Sequence, residues 1–222
     1  GAKSWNNSVI SSSKNQIYEV KDGGLVRKVA DDGSKTMTDP STLLSFLNYC
    51  KKNYTANRYD LIFWDHGGGS ISGYGYDENT SSGSMNLSGI NTALKNGGVK
   101  FDFIGFDACL MATAETGLVL GDYADYMIAS EETEPGVGWY YTNWLNKLSA
   151  NTSMSTLDIG QTICDDFVAE CQRTCPGQKT TLSLVDLAEL SNTLPSELKD
   201  FATSTSSLLD SQQYEVVSNA RT

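Results

Sequence analysis

Histidine is nearly absent from this chain of 222 residues; His66 is the only one. Chemistry that needs two imidazoles, such as a His-rich zinc centre, is therefore excluded. No apolar run reaches the roughly eighteen residues a membrane-spanning helix needs, so no span is expected. Basic residues are scarce: 16 Lys and Arg face 27 Asp and Glu, for a net charge of −11. Such a surface repels phosphate backbones and excludes nucleic acid as a partner, while it attracts cationic substrates at long range. Solubility alone would explain the same charge. The opening residues Gly1-Ala2-Lys3-Ser4-Trp5 lack the apolar stretch of a signal peptide, as any trimmed chain would. Five cysteines are present, an odd number, so at least one thiol stays unpaired. With 39% hydrophobic residues the chain can build one sizeable core without a disulfide framework.

The hydrophobic pattern alternates between strand and helix. Residues 16–20 and 25–29 alternate around Gly23-Gly24 and read as a hairpin or a surface excursion. Asp39-Pro40 opens a helix that continues to about residue 53, with aspartate as the cap and proline in the first turn. Residues 59–65 (YDLIFWD) and 101–106 (FDFIGF) are near-continuous apolar runs, as expected of strands buried on both faces. Residues 126–130 and 181–185 read as further strands. Helices are expected over 87–95, 110–120, 141–148 and 156–173, and from 187 onward with a break near Pro195. The polar stretch 77–84 (DENTSSGS) reads as a mobile loop. This alternation predicts an α/β fold, a mainly parallel sheet flanked by helices. Sites in such sheets form at the carboxyl ends of strands, where both His66 and Cys109 fall.

Cys109 lies between a buried strand and the helix expected over 110–120. Amide groups at a helix start, together with its dipole, favour a thiolate. A buried structural thiol is the other reading of a free cysteine. Three glycines follow His66, and glycine permits the close backbone approach that an oxyanion-binding turn requires. A tight turn alone would also explain them. The N–H groups of Gly67 and Cys109 are the candidate oxyanion donors. Cys109 follows His66 by 43 positions, near the roughly 50 that separate the pair in caspases. The caspase pentapeptide is absent; the residues here are Asp107-Ala108-Cys109-Leu110-Met111.

The segments Phe63-Trp64-Asp65-His66-Gly67-Gly68-Gly69 and Gly105-Phe106-Asp107-Ala108-Cys109-Leu110-Met111-Ala112 resemble the two catalytic motifs of the clostripain family. These are bacterial cysteine peptidases related in fold to caspases, gingipains and legumain. Ser130-Glu131-Glu132, followed by Pro135, Gly136, Gly138 and Trp139, resembles the family's stretch beyond the nucleophile. The resemblance implies a caspase-like α/β/α sandwich and a cysteine endopeptidase. Cys109 would be the nucleophile and His66 its proton-handling partner. Asp107 would confer preference for arginine or lysine before the scissile bond; its bland reading is a strand-end capping carboxylate. Ser130 would lie near the substrate pocket. Trp139 would wall it or simply pack in the core. Partners would be protein or peptide substrates carrying Arg or Lys before the cut, and the setting secreted or cell-surface.

Relatives begin with a strand, a helix and a second strand ahead of the segment that opens this chain. Residues 1–222 are therefore expected to form a single peptidase domain of a longer polypeptide whose first strands are missing here. Some relatives mature by self-cleavage after a basic residue downstream of the histidine. The 77–84 loop holds no lysine or arginine, Lys95 and Lys100 being the nearest, so any self-cleavage is expected elsewhere.

An HGGG string also serves lipases and esterases, but that reading requires a Gly-x-Ser-x-Gly elbow and a second histidine, and the chain has neither. Cys164, Cys171 and Cys175 match no common zinc spacing and read as structural thiols. No cofactor is required. Calcium stays open, since some relatives respond to it, but no Asp-x-Asp-x-Asp-Gly loop occurs. The alternative function is a catalytically silent protein-binding module on a peptidase fold.

Overall fold

The computed structural model describes residues 1–6, 9–21 and 25–220, with only the backbone of Leu25 and Val26. A two-stranded antiparallel hairpin, β1 (Asn15–Lys21) and β2 (Leu25–Gly33), comes first. Its Gly23-Gly24 turn lies outside the described residues. Helix α1 (Pro40–Asn53) starts as the sequence predicts: Asp39 accepts the Ser41 N–H at 2.7 Å, and proline holds the first position.

The apolar runs become the middle of a four-stranded sheet in the order β3-β4-β5-β6. Strands β3 (Asp60–Trp64), β4 (Phe101–Asp107) and β5 (Ala124–Ala129) are parallel. β6 (Ser183–Asp186) closes the sheet antiparallel to β5. Between them run the short α2 (Gly69–Ser72), α3 (Leu87–Gly97), α4 (Ala114–Leu120), α5 (Tyr141–Ala150) and α6 (Thr156–Thr174). α7 (Leu187–Asp210) and α8 (Tyr214–Asn219) follow. Side chains of β4 alternate between two cores. Ile104 and Phe106 join Leu43 and Leu47 of α1 and Ile90 and Leu94 of α3 on one face. Phe103 joins Trp144 of α5 and Ile159, Ile163 and Phe167 of α6 on the other. Each such fully buried side chain contributes about 1.5–3 kcal/mol. The expected α/β/α sandwich with a mainly parallel sheet is what forms. Among the described residues no helix is long and apolar enough to cross a membrane.

Three expectations are corrected. The helix after Cys109 begins at Ala114, not at 110. Leu110 takes a left-handed backbone, φ 64°, which a helix cannot include. The segment is drawn instead to the end of β5, with the Leu110 and Ala112 N–H groups donating to the Glu132 and Ser130 carbonyls. Thr113 then caps the helix. Second, α7 runs unbroken through Pro195. Proline costs one backbone bond, and exposed Ser191, whose carbonyl loses its donor, can bond water instead. Third, the 77–84 loop is pinned at its first residue. The Asp77 carboxylate is 2% exposed and accepts N–H bonds from Met37 and Asn79 at 2.8 and 2.9 Å.

The amino ends of β3 and β4 are tied to the α5–α6 connection by Arg58. Its guanidinium pairs with Asp102, donates to the Met154 carbonyl at 2.8 Å and reaches the Thr156 hydroxyl at 3.2 Å. Asp60 lies beside this group, and burial, then the Asp102 charge, pushes its carboxyl up to about 6. Arg58→Ala is expected to cost about 1–3 kcal/mol in urea unfolding, since it strands the partly buried Asp102 and takes the positive charge away from Asp60. A raised folded-state value stabilises below the unfolded one, near 3.8, and that contribution is lost as pH rises through about 6. The loss on Arg58→Ala should therefore be larger at pH 7.5 than at pH 5, and Asp60→Asn should remove most of the difference.

Candidate active site

Strand register decides which residues meet. Trp64 of β3 pairs with Asp107 of β4. Two residues further along each chain stand His66 and Cys109, so the imidazole and thiol leave adjacent strand tips. Gly67 makes the approach possible: a Cβ there would collide with the Cys109 carbonyl oxygen and crowd Met111. The turn is closed by Gly68 N–H to the Gly73 carbonyl and Gly75 N–H to the His66 carbonyl, both at 2.8 Å. Among the described residues neither the Gly67 nor the Cys109 N–H has an acceptor, which leaves both free for an oxyanion. Gly67→Ala is expected to lower turnover about 10²-fold with the fold retained, because displacement by about 1 Å is enough for that loss. Circular dichroism beside a peptidase assay checks it.

His66 is exposed. Its imidazole borders a cavity of about 570 Å³ lined by Trp5, Trp64, Asp65, Tyr74, Tyr76 and Glu78, among others. Cys109 is partly buried. Its sulfur accepts the Glu134 N–H at 3.3 Å and lies 4.0 Å from the Glu134 carbonyl oxygen. An amide donor thus does reach the sulfur, but it comes from the loop after β5; the helix start that the sequence suggested is five residues away. Left-handed Leu110 directly after Cys109 is a local strain of the kind that collects at functional sites.

Behind Cys109 the strand end carries a buried carboxylate. Asp107 is 4% exposed. Its oxygens accept the Trp139 N–H at 3.2 Å and the Tyr141 hydroxyl at 2.9 Å. Burial pushes its pKa up, opposed by those donors. Tyr141 is itself pushed up, by burial first and then by Asp107, so its hydroxyl stays a donor. Glu134 is the residue that sequence reading missed. Both of its carboxyl oxygens are buried and make no hydrogen bond of proper geometry. Burial, then the neighbouring Asp107 charge, pushes it up to about 8. Its only signal in the sequence was a glutamate inside the Pro- and Gly-rich loop 130–139.

The other two expected pocket residues have defined surroundings. Ser130 is fully buried. Its hydroxyl bonds the Glu132 carbonyl at 2.9 Å and Thr181 at 2.7 Å, holding the loop that carries Glu134. Trp139 belongs to the second core and covers Gly105, where a Cβ would meet its ring at 2.7 Å. The same residue's N–H holds Asp107, so its packing in the core also fixes that carboxylate. The oxyanion, thiol, imidazole and acidic groups therefore stand at one end of the sheet, a set suited to acyl transfer. Among the described residues no three His, Cys, Asp or Glu side chains are grouped to hold a metal.

A family model described as the clostripain family matches residues 5–220. Clostripain from Hathewaya histolytica is 30% identical over 140 residues, 55% of this chain and 26% of that protein. The fold is similar to a secreted C11 cysteine protease from Bacteroides thetaiotaomicron, with a TM-score of 0.67 and 21% identity over 82% of this chain and 55% of that one. A secreted C11 cysteine protease from Bacteroides thetaiotaomicron in complex with an irreversible peptide inhibitor gives 0.67 at 25% identity, over 82% and 56%. An inactive zymogen C11 protease from Parabacteroides distasonis gives 0.62 at 23%, over 81% and 49%. The chain thus spans about a quarter of the curated relative and about half of each solved chain.

Proposed function

The chain belongs to the clostripain family, and from that premise we propose that it is the catalytic portion of a cysteine endopeptidase that cleaves after arginine or lysine. The observation that supports the reading is the pairing of strand tips, which brings the chain's one histidine and Cys109 to neighbouring strand ends. A substrate cation enters toward Asp107. The Cys109 sulfur attacks the carbonyl carbon, and the electron pair moves to the oxygen, held by the Gly67 and Cys109 N–H groups. Collapse breaks the C–N bond as His66 protonates the leaving amine. Water, deprotonated by His66, then attacks the thioester and frees the acid and thiol. The reaction as proposed draws only on groups of the chain. A secreted relative supports export from a bacterial cell as its setting.

Labelling with a peptidyl-arginine chloromethyl ketone tests this. Mass spectrometry should find one adduct, on Cys109. Burial pushes Cys50 up, and Cys164 and Cys171 each to about 11, so those thiols should react slowly. Labelling spread over several cysteines, or none on Cys109, would refute the assignment. A silent binding module would show binding without the adduct.

A further inference from the structure

The cavity of about 570 Å³ at His66 is built without β4, the strand that leads to Cys109. Its lining comes from the tip of β3 and the residues after it, from the segment running into β1 and from Met37 and Thr38; among the described residues none comes from β4 or the loop after β5. The cavity therefore borders the imidazole on the side away from the thiol. Three aromatic side chains on it, Trp5, Trp64 and Tyr76, are between 37% and 66% exposed. Exposed apolar surface gathered in one place marks a binding site. Tyr74 joins the cavity to the core, its ring centroid 4.9 Å from that of Phe63 and 6.0 Å from that of Phe106. The walls are held. The Lys3 N–H donates to the Glu78 carboxylate at 2.7 Å and the Glu78 N–H to the Gly1 carbonyl at 2.8 Å, which fixes the segment carrying Trp5 against the loop carrying Tyr76. The acids on the lining are engaged, Glu78 in that bond and Asp65 with the His66 N–H at 2.6 Å, and Lys14 offsets part of their charge. Aromatic faces, not charge, thus decide what the cavity takes.

We propose that this cavity receives the side chain of the residue directly after the scissile bond and prefers a large aromatic one. The proposal rests on the peptidase reading above and adds a subsite for the leaving fragment. Its place follows from the proton. The substrate carbonyl carbon must meet the Cys109 sulfur, while the leaving nitrogen must come within hydrogen-bond reach of His66, about 2.6–3.2 Å. The fragment that leaves therefore runs past the imidazole and away from β4, and the cavity is what it meets there. Its volume of about 570 Å³ lies within the roughly 300–1,000 Å³ usual for ligand pockets. The rings of Trp5, Trp64 and Tyr76 offer an incoming aromatic side chain both faces and edges, and its entry removes apolar surface from water on both partners. The fragment departs with the amine, so the contact favours formation of the thioester and has no part in its hydrolysis.

The test compares two substrates with the same benzoylarginyl part before the cut, one followed by phenylalanine amide and the other by glycine amide. Their kcat/KM covers thioester formation, during which the leaving fragment is still attached. The phenylalanine amide should be the better substrate by about 10–100-fold, the worth of burying one aromatic side chain. Tyr76→Ala and Trp5→Ala should each narrow that ratio by about 5-fold or more, the loss expected when a contacting aromatic is truncated. Equal values for the two amides, or a ratio that survives both variants, would overturn the proposal. A response to phenylalanine placed before the arginine instead would assign the cavity to the acyl side and overturn it as well. A second measurement uses the unmodified protein and needs no turnover. Benzoylphenylalanyl-glycine amide, a photoreactive copy of the leaving fragment, should cross-link on irradiation to Met37 or Trp5, read by mass spectrometry of the digest. Excess phenylalanyl-glycine amide should suppress the adduct, and glycyl-glycine amide should not. Adducts only elsewhere, or equal suppression by both, would overturn the proposal even if the variants failed to fold. If the unmodified protein hydrolyses neither arginyl amide, the peptidase reading falls and the subsite with it. If it hydrolyses both alike, only the subsite falls.

Discussion

Cys109→Ala is expected to abolish peptide hydrolysis, with a loss of at least about 10⁴-fold, and to leave the fold in place. The size follows from the chemistry: without sulfur no thioester forms, and what remains is rate enhancement from binding and oxyanion contacts. The structural change is small. One partly buried sulfur and one N–H bond from Glu134 are lost, an effect of about 1 kcal/mol on stability. His66→Ala should fall comparably, because groups that act as a unit are not additive, and the double variant should be little worse than either single one. Normal hydrolysis by either variant would end the case.

The parts of this site legible in the sequence are those fixed by strand pairing. Two apolar runs ending in His66-Gly67 and Asp107-Ala108-Cys109 predict parallel neighbours with matching tips, and the Trp64–Asp107 register meets that expectation. Gly67 is legible for the same reason, since only glycine tolerates a backbone so close to the Cys109 carbonyl. What escaped the sequence depends on loops folding back over long separations. Leu110 has good helix propensity, yet two carbonyls at the end of β5 capture the N–H groups of Leu110 and Ala112 and hold the chain out of a helix. Nothing local to Glu134 says that its carboxyl is buried, because the residues that bury it come from β4, α5 and the loop's own turn at Gly138. Polar residues that a surface loop would solvate thus become buried at the end of the sheet, and single-residue character cannot report that.

Asp107→Asn is expected to lower kcat/KM on arginyl substrates by about 10²–10³-fold relative to neutral ones, the range found when one partner of a buried charge pair is removed. Asparagine is the informative choice because Asp107 has two tasks. Its oxygens hold Trp139 and Tyr141 in place, and the amide oxygen of asparagine can keep part of that frame while the charge disappears. Alanine would remove both and leave the Tyr141 hydroxyl and a main-chain N–H buried without acceptors. Asp107→Ala should therefore also slow neutral substrates and lower the unfolding midpoint, where Asp107→Asn should not. The pH response separates the roles further. Burial raises Asp107, and the Asp107 charge helps raise Glu134 beside it, so the arginyl kcat/KM of the unmodified protein should rise with pH as these buried acids ionise. Removing one acid removes the repulsion that raised the other. In Asp107→Asn the remaining Glu134 should ionise at lower pH, and the rise should shift downward or vanish. Equal losses on charged and neutral substrates, with the pH response unchanged, would mean that Asp107 only braces the loop and does not read charge.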